Sequence, residues 1–254
     1  MTRTPLFVAN WKMNTDLPQA LTLAEAAAAF TPPLTAELDI VLAPPFPWIV
    51  PVANALGSSH VRVGAQDVSP EDHGAFTGDV SAEMLSDWAS LVIVGHSERR
   101  AGHGETDELI ARKTHQIVAH GMTPLLCVGE TLAEREAGQA EAAISRQIRT
   151  ALGGCTATQL DGLVIAYEPV WAIGTGHAAT PDDAQAIAAM IRRQLDASTA
   201  ANARILYGGS VTPENVAELT SGEDVDGTLV GSASLTVEGF LGIASALTPP
   251  RELF

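Results

Sequence analysis

An alternation constrains the fold more than any other feature of this chain. Eight short apolar runs are separated by longer segments of helical period from one end to the other. The strand candidates are Leu6–Trp11, Ile40–Ala43, Val61–Ala65, Leu91–Val94, Thr123–Val128, Leu163–Tyr167, Arg204–Tyr207 and Thr228–Val230. Most are continuously apolar rather than alternating, the pattern of parallel strands covered on both faces. Helical segments are expected over Leu17–Phe30, Trp48–Leu56, Ser81–Trp88, Thr106–His120, Leu132–Leu152, Pro181–Ser198, Pro213–Leu219 and Val237–Leu247. Thr106, Thr180 and Thr212 each precede acids or a proline, which marks them as helix caps. Eight βα units in 254 residues predict an α/β protein, a single-domain (β/α)8 barrel over residues 1–254; a doubly wound open sheet is the competing architecture. No linker-like stretch or composition shift divides the chain.

Composition narrows the function. The chain is 46% hydrophobic and 17% charged, enough for a large core and unlike a disordered segment. A net charge of −16 repels nucleic acid and anionic lipid. No apolar run is long enough to span a bilayer, and MTRTPLFVANWKMN enters a strand without a signal-peptide pattern, so a cytoplasmic location is expected. Cys127 and Cys155 have no CxxC spacing, and the histidines show no HxH or HExxH, which argues against disulfide and metal sites.

Both architectures place chemistry at the C-terminal ends of strands. Those ends carry Asn10 and Lys12, then Gly95-His96-Ser97-Glu98-Arg99-Arg100, then Glu168, Gly208-Gly209-Ser210 and Gly231-Ser232-Ala233-Ser234. Each has an ordinary reading. Lys12 can be a solvated lysine, but twelve of the fourteen basic residues are Arg, so a retained lysine at a strand end suggests a need for a compact ammonium. His96 can be a satisfied loop histidine, or stand where a short helix begins, whose amides lower an imidazole pKa. The glycines can be tight turns, or lend amides to an anion together with Ser210 and Ser232. Gly174-Thr175-Gly176 lacks the strand–turn–helix setting of a dinucleotide fingerprint, and neither Ser97 nor Ser210 lies in GxSxG. One carboxylate, one imidazole, one ammonium and a bed of amides suit proton abstraction beside the carbonyl of a phosphorylated substrate.

The words themselves carry a resemblance. FVANWKMN (7–14), GAQD (64–67), GAFTGDVSAEML (74–85), VGHSERR (94–100), LLCVGETLAEREAG (125–138), AYEPVWAIGTG (166–176), LYGGSV (206–211) and VGSASL (230–235) are similar, in order, to the triosephosphate isomerase family. The resemblance implies a cofactor-independent isomerase that interconverts dihydroxyacetone phosphate and glyceraldehyde 3-phosphate in glycolysis and gluconeogenesis. It implies that Glu168 is the base and His96 a neutral electrophile. Lys12 and Asn10 would stabilise the enediolate, with Glu98 as supporting carboxylate. The amides of Gly174, Ser210, Gly231 and Ser232 would hold the phosphate, and Tyr207 with Ser210 would latch a lid. Thr77 would reach a neighbouring subunit, making a homodimer. Two other functions share the motifs: a paralogue acting on a tetrulose phosphate, and a non-catalytic phosphosugar-binding barrel.

The chain also departs from the family pattern. Asp67 replaces the usual Asn and is expected to make the interface loop more acidic, while Asp79 shortens a Glu. Ser232 replaces a glycine of the phosphate-binding pair, where its Cβ is expected to restrict φ and crowd the anion. His103 stands where Phe is common, and His177-Ala178-Ala179 replaces Lys-Thr-Ala at the end of the lid.

Overall fold

The computed structural model describes residues 3–33, 37–172 and 179–248. Eight strands run in chain order: β1 (Leu6–Asn10), β2 (Asp39–Ala43), β3 (Arg62–Ala65), β4 (Leu91–Val94), β5 (Thr123–Val128), β6 (Val164–Tyr167), β7 (Arg204–Tyr207) and β8 (Gly227–Val230). Each pairs in parallel with the next, and β8 returns to β1 with Phe7 opposite Thr228, so the sheet is a closed barrel and not an open one. The helices are α1 (Leu17–Ala29), α2 (Ile49–Leu56), α3 (Ala82–Ser86), α4 (Ser97–His103), α5 (Asp107–Ala119), α6 (Leu132–Glu136), α7 (Ala140–Leu152), α8 (Pro181–Arg193), α9 (Ala197–Asn202), α10 (Val216–Leu219) and α11 (Val237–Ala246).

Two apolar layers explain the continuously apolar strands. Leu6, Val8, Val41, Leu91, Ile93, Leu125, Val164 and Leu206 point inward and fill the barrel. Their neighbours Phe7, Ala9, Ile40, Leu42, Val92 and Ile165 point outward against the helices. Both faces are therefore dry along most of each strand, and the partly solvated side chains, such as Asp39 and Arg62, stand at the first residue of a strand.

The expected helix starts hold at Thr106 and Thr180 and fail at Thr212. The Thr106 side chain accepts from Leu109 N–H, and Thr180 forms a reciprocal capping box with Asp183. Thr212 caps nothing: residues 213–215 form a turn, Asn215 side chain meets the Thr212 amide at 2.8 Å, and α10 begins only at Val216. The single helix expected over 132–152 is two, because Gly138 adopts φ 68° between α6 and α7 and takes the chain out of helical geometry. Likewise 181–198 divides after Arg193, where Asp196 caps α9 by accepting from the amides of Ser198 and Thr199.

The closing seam is braced at its N-terminal end. Asp226 hydrogen-bonds by its backbone to both Ile205 and Leu6, so it links β7 to β1 just before β8 begins. Its carboxylate, 5% exposed, pairs with Arg3 at 2.6 Å and with Arg192 at 2.6 Å. Arg192 also binds Asp224 and donates to the carbonyls of Ala200 and Ala203. Removing Arg192 takes one of two cations from the buried Asp226 carboxylate, leaving Arg3, and takes the Arg192 cation from Asp224. Arg192→Met is expected to lower unfolding stability by about 3 kcal/mol, read as a lower urea midpoint.

Candidate active site

The C-terminal mouth of the barrel holds a cavity of about 630 Å³ lined by Asn10, Lys12, His96, Glu98, Glu168, Gly208–Ser210 and Gly231–Ser232, among others. It gathers every expected catalytic residue and three of the four expected phosphate contacts. The fourth, Gly174, lies outside the described residues, as do His177 and Ala178 of the far hinge. Thr77 does not line this cavity. It sits on the exposed loop between β3 and α3, beside the half-exposed Phe76.

β1 presents Asn10 and Lys12 by an unusual backbone. Lys12 has φ 51°, a left-handed conformation that costs energy unless its surroundings enforce it. They do so from two sides: Asn10 Oδ1 accepts the Lys12 amide at 3.0 Å, and Gln66 Nε2 donates to the Lys12 carbonyl at 2.9 Å and to Ala43 O at 2.8 Å. The Lys12 ammonium then meets Glu98 at 2.7 Å. Gln66 lies inside the GAQD stretch, yet nothing in its spacing marks it as the holder of Lys12.

His96 is the N-cap of α4 and is 6% exposed. Its Nδ1 accepts the Glu98 amide at 3.2 Å, and its Nε2 lies 3.0 Å from Glu168 Oε1. Glu168, 2% exposed, takes the Ser97 amide on its other oxygen at 2.8 Å. Burial, the largest influence on the imidazole, lowers its pKa. The Glu168 charge and hydrogen bond, with Glu98, outweigh burial and Lys12, so the net direction is upward. Nδ1 nevertheless accepts an N–H, which a protonated Nδ1 cannot do, so the geometry is that of the neutral ring with its proton on Nε2. Most of the upward pull comes from Glu168 in this position. When that carboxylate moves away, burial and Lys12 act with less opposition and favour the neutral ring. Beneath Glu168, Cys127 is held neutral, its thiol pushed well up by burial and then by the Glu168 charge.

The glycines serve proximity more than turning. Gly208, Gly209 and Gly231 lack positive φ, but a Cβ on each would meet Glu168 Cγ at 3.1 Å, the Tyr207 hydroxyl at 2.3 Å and Lys12 Cε at 3.0 Å. Ser232 also lacks positive φ, so its side chain imposes no backbone strain, contrary to the expectation from the glycine it replaces. Asp67 likewise corrects its expectation. It is 9% exposed, paired with Lys113 at 2.7 Å and Arg99 at 2.9 Å, so it adds no surface acidity. Burial pushes its carboxyl up against the pull of Lys113.

Glu130 is the main polar residue that the sequence did not reveal. Fully buried, its Oε1 accepts from Tyr167 at 3.1 Å, from Trp171 Nε1 at 2.8 Å and from Arg135 at 3.1 Å. The Arg135 guanidinium also stacks 4.3 Å over the Trp171 ring and pairs with Asp183 at 2.9 Å. The chain segments before and after residues 173–178 are thereby tied to one carboxylate. Tyr207 is 1% exposed, and its phenol is pushed up by burial, with the nearby Ala179 backbone opposing. Its hydroxyl makes no hydrogen bond of normal geometry to the described residues.

A closed (β/α)8 barrel with a buried carboxylate, an imidazole and an ammonium on its C-terminal rim defines the class of acid–base barrel enzymes. The comparisons make this particular. A family profile described as triosephosphate isomerase matches residues 5–247. The chain is 48% identical over 246 residues to the triosephosphate isomerase of Herpetosiphon aurantiacus, covering 95% of this chain and 98% of that protein. It is 48% identical over 248 residues to that of Cupriavidus taiwanensis, covering 96% and 100%. With that of Roseiflexus castenholzii it shares 48% over 252 residues, covering 97% and 99%. The chain belongs to the triosephosphate isomerase family.

Because Glu168 supplies the leading upward influence on His96, Glu168→Gln is expected to lower the His96 pKa. Imidazole NMR titration of the two proteins measures the difference.

Proposed function

We propose that this chain is a triosephosphate isomerase: an enzyme that interconverts dihydroxyacetone phosphate and D-glyceraldehyde 3-phosphate through an enediolate. One observation carries the reading: Glu168, His96 and Lys12 converge on the same cavity, with Ser210, Gly231 and Ser232 on its wall. Both Glu168 oxygens are occupied, by His96 Nε2–H and by the Ser97 amide. His96 has one Nε2 proton to give. A substrate oxygen that takes it releases one of the two contacts that hold Glu168, so substrate entry frees the base.

Glu168 then removes a carbon-bound proton next to the carbonyl. The neutral His96 donates to the oxygen that gains charge, and Lys12 offsets that charge together with the phosphate's. Glu168 returns the proton to the adjacent carbon, and His96 gives its Nε2 proton to one substrate oxygen and takes the hydroxyl proton from the other. One proton has then moved between the carbons and one between the oxygens, and both side chains end as they began. Asn10 holds the Lys12 backbone at 3.0 Å, and Glu98 anchors the Lys12 ammonium at 2.7 Å. The phosphate is assigned to the amides of Ser210, Gly231 and Ser232. Gly174, outside the described residues, and Tyr207 as lid latch are assigned on family resemblance.

The whole chain is read as a single catalytic domain acting in the cytoplasm as a homodimer, with Thr77 beside the partner's active site. Supporting the dimer, Met13 is 96% exposed and Phe76 47%, next to strands whose other apolar residues are buried.

A coupled assay with both triose phosphates and with tetrulose phosphate tests the reaction; turnover is expected with the trioses. Glu168→Asp retracts the carboxylate by one methylene and is expected to cut kcat by about 100-fold or more with KM little changed. Near-normal kcat would remove Glu168 from the mechanism. Light scattering is expected to give twice the chain mass, and a monomer would count against the Thr77 assignment.

A further inference from the structure

The base is positioned by its backbone as well as by its side-chain contacts, and that backbone rests on Gly129. Gly129 is the first residue past β5, where the strand leaves the sheet. The last ladder-like bond there runs from Glu168 N–H to Val128 O at 2.8 Å. Gly129 then lies directly against Glu168: a Cβ built on it would stand 1.8 Å from the Glu168 carbonyl oxygen and 3.5 Å from its Cα. The contact is backbone on backbone, and only the absence of a side chain permits it.

A peptide group at a strand end has lost its ladder partner and is free to rotate unless something else satisfies it. Here Gln147, on α7 and 5% exposed, does so from both sides. Its Oε1 accepts the Gly129 amide at 2.9 Å, and its Nε2 donates to the Gly129 carbonyl at 3.0 Å. Only one orientation of the side-chain amide satisfies both bonds. The next residue is Glu130, which holds the Trp171 indole at 2.8 Å. The two-residue segment therefore supports the chain at Glu168 and again three residues later.

We propose that Gln147 is a positioning residue for Glu168. By clamping the Gly129 peptide it fixes the surface on which the Glu168 backbone sits and the direction in which Glu130 meets Trp171. It touches no reacting atom and acts through Gly129. This rests on the reading of Glu168 as the base.

The test uses the full chain with Gln147→Met, which keeps length and removes both hydrogen bonds. Gln147→Glu, which keeps an acceptor for the Gly129 amide, is made alongside it and decides the matter if the Met variant does not fold. Two readouts are taken well below the melting temperature: kcat and KM, and the indole N–H resonance of Trp171 in 15N-labelled protein. The proposal expects kcat to fall on the order of 10- to 100-fold, KM to stay within about twofold, and the Trp171 resonance to shift. A folded variant with lower melting temperature but parental kcat, or with a parental Trp171 resonance, overturns it and leaves Gln147 a purely structural role. Should the parent itself fail to turn over triose phosphates, the assigned reaction falls, while the Trp171 resonance still tests the clamp.

Discussion

Pairing of β8 with β1 is the constraint from which the rest of the structure follows. It turns a parallel sheet, which would have two unpaired edges, into a closed ring with none. Because all strands run the same way, closure also gathers their C-terminal ends at one mouth. Asn10 ends one strand, His96, Glu168, Gly208 and Gly231 follow four others, and the five meet around one cavity for that reason. At the opposite end the seam carries the load of closure: Asp226 bonds through its backbone to the strands on either side, and Arg3 and Arg192 neutralise its buried carboxylate. Stability and chemistry are thus segregated to opposite ends of the barrel.

At the mouth the controlling quantity is the number of protons available. A carboxylate that is 2% exposed needs hydrogen-bond donors, and Glu168 has two, the Ser97 amide and His96 Nε2. The same imidazole is fixed as a neutral donor because its other nitrogen accepts from the first turn of α4. Carboxylate and imidazole therefore satisfy each other, and in the proposed reaction a substrate oxygen competes for the single proton between them. Lys12 is held apart from this pair by Glu98 and by a strained backbone that Asn10 and Gln66 enforce. Of these supports Gln66 does not line the cavity and acts only through the Lys12 backbone.

Much of this could be read along the chain. The strands were legible because burial on both faces leaves an uninterrupted apolar run, and Thr106 and Thr180 marked helix starts because their neighbours supply acids and proline. Thr212 looked the same and misled, since Asn215 satisfies its amide and the chain turns before it coils. The residues in the site were legible from their place at strand ends. Their supports were not. Gln66 reaches Lys12 across 54 positions, Trp171 reaches Glu130 across 41, and Gln147 reaches Gly129 across 18. No local period links such partners. Asp67 shows the same limit with the opposite sign: as a lone acid it reads as surface charge, and only folding reveals Lys113 and Arg99 beside it.

The sequence by itself determined the number and order of the strands, the dryness of both their faces, and which chemical groups stand at their ends. These follow from patterns over a few residues, where burial and turn geometry act locally. The tertiary structure alone decided which of those groups touch, which are neutral and which are held in strained conformations. Closure brings together atoms far apart in the chain, and a proton on His96 or a bend at Lys12 exists only in the field and contacts of those partners.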